Sequence, residues 1–120
     1  MKVAVTSQGE HLESQVDQRF GRCSWFVVVD TETGEYRALS NVQNLNAAQG
    51  AGIQAAQTAS RHGAEAVITG HCGPKAFRTL NAAGIKVFSG AGGTVQEAIE
   101  SFKKGSLQEA EGADVEGHWV

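Results

Sequence analysis

The sequence predicts a mixed α/β fold: one five-stranded sheet in the order 3-2-1-4-5, strand 2 antiparallel to the rest, with helices on both faces. Three observations carry that prediction. Three strand-length apolar or alternating runs open the chain, and thereafter strand runs alternate with helix-length amphipathic stretches. The second and third runs flank turn chemistry, "TETG" (Thr31–Gly34), which makes them an antiparallel hairpin. The later strands are linked through helices, and such crossovers close right-handed onto a parallel sheet.

Each element has its own signal. "KVAVT" (Lys2–Thr6) is apolar and β-branched, a short buried strand. "SWFVVVD" (Ser24–Asp30) is nearly continuous in apolar residues, with at least one of Trp25 and Phe26 in the core. "EYRALSN" (Glu35–Asn41) alternates, which suits a half-exposed edge strand. The period then changes. "QGAGIQAAQTASRHG" (Gln49–Gly63) is an alanine-rich helix closed by Gly63. "EAVITG" (Glu65–Gly70) is a buried strand. "PKAFRTLNAAG" (Pro74–Gly84) is a helix with Pro74 at its first position and Gly84 past its end. "IKVFSG" (Ile85–Gly90) is the last strand. "TVQEAIESFKKG" (Thr94–Gly105) is the last helix: Thr94 and Glu97 form a capping-box pattern, and Val95, Ile99 and Phe102 mark its apolar stripe. The order βββ-αβαβα is the ribonuclease H-like arrangement.

This topology locates function. Strands 1, 3, 4 and 5 end at one edge of the sheet, and strand 2 begins there. The segments Ser7–Arg22 with Cys23, Asn41–Gly52, His71–Lys75 and Ser89–Thr94 should converge at that edge. They hold much of the glycine, two arginines and both cysteines. Ligands of open α/β sheets bind at the carboxyl ends of strands near a switch point.

Composition excludes several classes. The 120 residues, 41% hydrophobic and 19% charged, make one globular domain with a real core. No apolar run approaches the ~20 residues that span a bilayer. "MKVAVTSQGE" turns polar too soon after Val5 to be a secretory leader. The expectation is a cytoplasmic monomer that begins directly with a strand. Its two cysteines, Cys23 and Cys72, are expected as thiols, since they form no disulfide framework and no Cys-x-x-Cys pattern. The net charge of −3 is uneven. The last fifteen residues hold Glu109, Glu111, Asp114 and Glu116 with no Lys or Arg, which leaves a body of net +1. Residues 1–105 therefore read as the domain and 106–120 as an acidic tail. Neither part suggests a nucleic-acid surface or a membrane surface.

The chemistry centres on "AVITGHCGPKAF" (Ala66–Phe77), where His71 and Cys72 sit at a strand-to-helix turn. Neighbours in an extended segment point opposite ways, so they are poor partners for Cys–His nucleophilic catalysis. Cys72 with His11, or Cys23 with His71, would lack an evident group to orient the base. Ribonuclease H-type nuclease chemistry needs acids on the central strands to hold two metals, and "KVAVT" and "AVITG" carry none. Structural zinc would require His11, Cys23, His71 and Cys72 to converge without diagnostic spacing. An anionic ligand fits better. Pro74 starts a helix whose positive end faces the loop, and Lys75 adds charge. "GAGGT" (Gly90–Thr94) and "GAG" (Gly50–Gly52) precede two further helix starts, and "RFGR" (Arg19–Arg22) brings two guanidiniums. Cys and His suit a soft metal within such an anion. A phosphate or nucleotide would fit the same field, although neither a GxxxxGK[ST] loop nor a GxGxxG motif is present. His62 reads as a helix-end residue, His118 and Trp119 as parts of the tail, and Arg61, Arg78 and Lys103 as solvated helix faces.

"MKVAVTSQG", "VDQRFGRCSWFVVVD" and the long run from "GAGIQAAQTASRHG" through "GAEAVITGHCGPKAFRTLNAAGIKVFSGAGGTVQEAIESFKKGSL" resemble the dinitrogenase iron–molybdenum cofactor biosynthesis family. The resemblance covers residues 1 to about 110, and its RFGR, GHxGP and GAGGT elements are specific in combination. It implies the ribonuclease H-like fold and a non-catalytic carrier or chaperone. The cargo would be an anionic molybdenum-containing metal–sulfur cluster held non-covalently: a molybdenum–copper sulfide cluster, as in the family's short stand-alone branch, or an iron–molybdenum–sulfur cluster or its precursor. Implied partners are MinD-type ATPases or cofactor-assembly proteins. The implied site residues are Arg19, Phe20, Gly21, Arg22, Gly70, His71, Gly73, Pro74 and Gly90 to Thr94, including Gly90, Gly92, Gly93 and Thr94. The residues themselves add Lys75 and Cys72, with His71, Cys72 and Cys23 as candidate metal ligands. Cys72 departs from the family pattern, which often has an aliphatic residue there. A small nucleotide- or phosphate-binding regulator or enzyme using the same pocket stays open as the alternative.

Overall fold

The computed structural model describes residues 1–41 and 50–110. Its elements are β1 (Lys2–Ser7), β2 (Trp25–Asp30), β3 (Tyr36–Ser40), α1 (Ala51–Arg61), β4 (Ala66–Ile68), α2 (Pro74–Ala82), β5 (Lys86–Phe88) and α3 (Val95–Lys103). The sheet order is β3-β2-β1-β4-β5. β2 is antiparallel to both β1 and β3, while β1, β4 and β5 pair in parallel. The predicted five-stranded mixed sheet is therefore observed in full, each element within about three residues of its expected bounds. The stretch before Gly50 and the tail from 111, with His118 and Trp119, lie outside the described residues.

The side-chain period of two divides the core. On β1, Ala4 faces one side while Val3 and Val5 face the other. The same alternation separates Phe26 and Val28 from Val27 and Val29, and Val67 from Ala66 and Ile68. The first set packs under α1 and α2 through Ala55, Ala56, Ala59, Ala76 and Leu80. The second packs under α3 through Val95, Ala98 and Ile99. Small alanines let α1 lie close to both the sheet and α2. Trp25 is half-buried and Phe26 fully buried, its ring edge-to-face with Phe20 at 5.6 Å.

β3 forms one edge of the sheet, half-exposed as its alternation predicts. The other edge, β5, is partly covered. Glu109 bridges Phe88, and the Ala110 N–H donates to the Val87 carbonyl at 2.8 Å. Leu107 packs against the α3-side core and Ala110 against the α1/α2-side core. Among the described residues no helix is long and apolar enough to cross a membrane.

Candidate functional site

The segment after β1 runs as a strap across the carboxyl edge of the sheet. Its middle is tied to β1 by Thr6: the Asp17 N–H donates to the Thr6 carbonyl at 2.9 Å, and Thr6 Oγ1 donates back to the Asp17 carbonyl at 2.7 Å. Thr6 Oγ1 also lies 2.9 Å from Thr69 Oγ1 at the end of β4, so buried hydroxyls stitch the two strand ends together. Further on, the His71 N–H donates to the Gln18 carbonyl at 2.7 Å, and the Phe20 N–H to the His71 carbonyl at 3.2 Å. Arg19 and His71 thus face each other in a short parallel bridge. The Gln18 side chain reaches the third loop, Nε2 donating to the Ala91 carbonyl at 3.1 Å. The Gly90 N–H bonds the Gly70 carbonyl at 2.8 Å. Arg19, Gly70, His71 and Gly90 are brought together as the topology predicts.

Gly70 is required by contact. A Cβ there would stand 2.6 Å from Gln18 Cα, closer than real Cβ atoms come to other backbone. Gly21 meets the start of α1 in the same way, its Cβ position falling 2.8 Å from the Gly52 nitrogen. RFGR and GHxGP are therefore packing motifs as well as charge-bearing ones: their glycines let three chain segments touch.

The bridge also sorts the side chains. Arg19 and His71, a matched pair, are exposed, while their neighbours Phe20 and Cys72 turn into the core. Lys75 is exposed one turn beyond His71, and Arg22 and Gly73 are half-buried. Both thiols are inside: Cys23 is 0% and Cys72 1% exposed, in the same apolar cluster. Asn41 Nδ2 donates to the Cys23 carbonyl at 2.9 Å and approaches Cys23 Sγ at 3.6 Å. Burial, and secondarily the nearby Asp17 carboxylate, pushes the Cys23 thiol well above its ordinary range, so it stays protonated. The four zinc ligands considered, His11, Cys23, His71 and Cys72, do not gather: among the described residues no three His, Cys, Asp or Glu side chains form a metal-holding group.

The helix starts differ in what they offer. At α3 the capping box forms: the Glu97 N–H donates to Thr94 Oγ1 at 3.1 Å, and the Thr94 N–H to Glu97 Oε1 at 2.9 Å. The strap supplies the remaining acceptors. The Val95 N–H donates to the Ser14 carbonyl and the Gln96 N–H to the Leu12 carbonyl, both at 2.9 Å, and the Gly93 carbonyl accepts from Val16. This helix start is closed: Thr94 has its polar groups engaged within the protein and the Gly93 carbonyl is taken, while Gly90, Gly92 and Gly93 are the exposed residues of the loop. At α2 no side chain caps Gly73, and the first intrahelical bond runs from the Phe77 N–H to the Gly73 carbonyl at 2.9 Å. Pro74 removes one donor, and the first-turn N–H groups of Lys75 and Ala76 have no acceptor among the described residues. α1 likewise starts at Gly50 without a side-chain cap. Of these starts, the α2 one lies beside His71, Lys75 and Arg19.

Sequence reasoning missed Asp17 and Gln18. Asp17 has a 5% exposed side chain, and its Oδ1 accepts from the Arg19 N–H at 3.0 Å and from Arg19 Nε at 3.4 Å. The signal was present: an Asp two residues before Arg in "DQR" is the pattern of an Asx turn. At the far edge, a cleft of about 190 Å³ lined by Lys2, Asp30, Glu35, Arg37 and His62 mixes cations with carboxylates, so its field selects neither sign.

A family model described as dinitrogenase iron-molybdenum cofactor matches residues 1–105. The chain belongs to this family. Among solved structures, the apo form of the orange protein from Desulfovibrio gigas superposes with a TM-score of 0.93 at 42% identity, covering 95% of this chain and 96% of that one. A Thermotoga protein described as a candidate NifB superposes with a TM-score of 0.83 at 40% identity, covering 97% and 98%. An uncharacterised protein of Methanocaldococcus jannaschii is 30% identical over 113 residues, 92% of each chain. Family membership and these likenesses place the chain among proteins of metal-cluster binding and cofactor biosynthesis.

Proposed function

We propose that this protein carries an anionic, molybdenum-containing metal–sulfur cluster as non-covalent cargo and performs no catalysis on it. The observation that supports the reading best is the open N-terminus of α2 flanked by exposed Arg19, His71 and Lys75. Exposed cations and a helix dipole attract a polyanion without forming coordinate bonds. Arg22, Gly70, Gly73, Gly90 and Gly92 would complete the cradle, and His71 would be the contact closest to a ligand role. Gly93 and Thr94 would act by shaping the loop. Cys72 and Cys23 would touch the cargo only after the core opened. A molybdenum–copper sulfide cluster or an iron–molybdenum–sulfur precursor meets these requirements, with transfer to cofactor-assembly proteins or MinD-type ATPases in the cytoplasm.

Anaerobic titration of the protein with tetrathiomolybdate and copper(I) tests this. The expected result is a coloured 1:1 complex whose affinity falls as salt rises. Arg19→Ala and Lys75→Ala should each weaken uptake about tenfold, the scale of one charge-assisted contact. Cys72→Ser should keep the colour, whereas His71→Ala should change its spectrum if the imidazole touches the metal. No uptake would end the carrier reading, and thermal stabilisation by nucleotides in its place would favour the phosphate-binding alternative.

A further inference from the structure

Asp17 is anomalous at an edge that attracts anions. Its carboxylate is almost wholly buried and negatively charged where the neighbouring exposed groups are positive. Only one of its oxygens is employed: Oδ1 takes both the backbone N–H and the Nε of Arg19, while Oδ2 has no hydrogen-bond donor among the described residues. A carboxylate kept only to hold the turn would be expected to satisfy both oxygens, because an unmatched buried acceptor is destabilising. An Asn would hold the same turn without placing a charge beside the cargo. The strap around it is already fixed by its backbone, through Thr6 and His71. What the Asp17 carboxylate adds is its hold on the Arg19 side chain, which is otherwise 66% exposed.

We infer that Asp17 is a positioning residue for the anion-receiving edge: by holding Arg19 at Nε it leaves the two terminal amino groups of the guanidinium for the cargo. This deepens the carrier reading and rests on it. A long exposed arginine loses rotamer freedom when it grips a ligand. An arginine already held at Nε has lost part of that freedom beforehand, and its fork keeps the planar geometry that matches an anion's acceptor atoms. The cost is one buried negative charge near the site, offset by the guanidinium it orients.

The test is a double-mutant cycle, read by anaerobic titration with tetrathiomolybdate plus copper(I) on the full chain: wild type, Asp17→Ala, Arg19→Ala and the double variant. Asp17→Ala should weaken uptake about tenfold in the wild-type background and leave it unchanged in the Arg19→Ala background. Asp17→Asn, which keeps the turn but offers Arg19 Nε only a neutral acceptor, should restore uptake in part and not to the wild-type level. In the cargo-free protein, the Arg19 Nε–H signal should be ordered in the wild type and mobile in Asp17→Ala. Losses that multiply in the double variant, or an Arg19 Nε–H equally ordered in Asp17→Ala, overturn the positioning role while leaving the carrier reading intact. A wild type that takes up no probe overturns both. Should Asp17→Ala not fold, Arg19→Lys decides: it keeps the charge but has no fork, and uptake equal to wild type overturns the inference.

Discussion

At the scale of single residues, the two cysteines show how a one-residue step in register changes chemistry. His71 is exposed and Cys72 buried because the strap pairs Arg19 with His71 and so turns Phe20 and Cys72 inward. That opposition could be read from "GHC" alone, since adjacent residues of an extended segment face opposite sides. The burial of Cys23 could not, because it depends on Phe20 folding back over Phe26 from six residues away. Cys23 then makes stability depend on pH. Its thiol is held protonated in the folded chain, mainly by burial, but ionises at its ordinary value near 9.0 once unfolded. The unfolded state therefore binds fewer protons at high pH, and folding stability is full below about pH 9 and falls above it. Urea titrations should show a loss approaching about 1.4 kcal/mol per pH unit above that point, and Cys23→Ala should flatten the slope even though it lowers the plateau. A slope unchanged by Cys23→Ala would mean that other groups carry the dependence. Gly70 makes a second residue-scale prediction. Gly70→Ala puts a methyl group against Gln18, and should destabilise by about 2 kcal/mol while detaching Gln18 from Ala91.

At the scale of elements, the contrast between two helix starts separates stability from function. The capping box of α3 was legible as Thr94 and Glu97 three residues apart. Its remaining acceptors, the Leu12 and Ser14 carbonyls, were not, because they arrive from a strap about eighty residues earlier in the chain. Sequence alone therefore offered the helix start after "GAGGT" as a donor end, whereas its N–H groups are taken within the protein. Thr94→Ala should cost about 1 kcal/mol of stability and leave cargo affinity unchanged, checked by thermal melting beside titration. α2 is the opposite case. Gly73 has extended backbone angles and open space where a side chain would go. Gly73→Asp should cap the helix and raise stability by a few tenths of a kcal/mol. It should also place a carboxylate where the anion would bind, and so abolish uptake of thiomolybdate and copper. A more stable variant that still binds normally would move the cargo away from α2.

At the scale of the whole molecule, the sheet order followed from two local facts, a hairpin turn and right-handed crossovers, so it was legible without any knowledge of the site. The end of the domain depends on more than charge. Charge asymmetry placed the boundary after 105, since acids without bases begin there. Charge speaks of solvent and partners, whereas the fold is held by apolar contact and backbone pairing, and those continue further. Leu107 and Ala110 join the two cores on opposite faces of the sheet, and the Ala110 N–H pairs with the β5 edge at Val87. Residues 106–110 therefore act as a clasp, covering the β5 edge that would otherwise be open to another chain. A chain ending at 105 should lose about 2 kcal/mol, from one partly buried leucine and one edge hydrogen bond. Its melting temperature should fall by roughly 5–10 °C, and with its edge uncovered it should associate at high concentration. A chain ending at 110 should melt with the full protein and stay as dispersed, because it keeps the clasp and loses only part of the acidic run. Equal melting of the two truncations would place the boundary where the charge put it and reduce the Val87–Ala110 pairing to a contact without energetic weight.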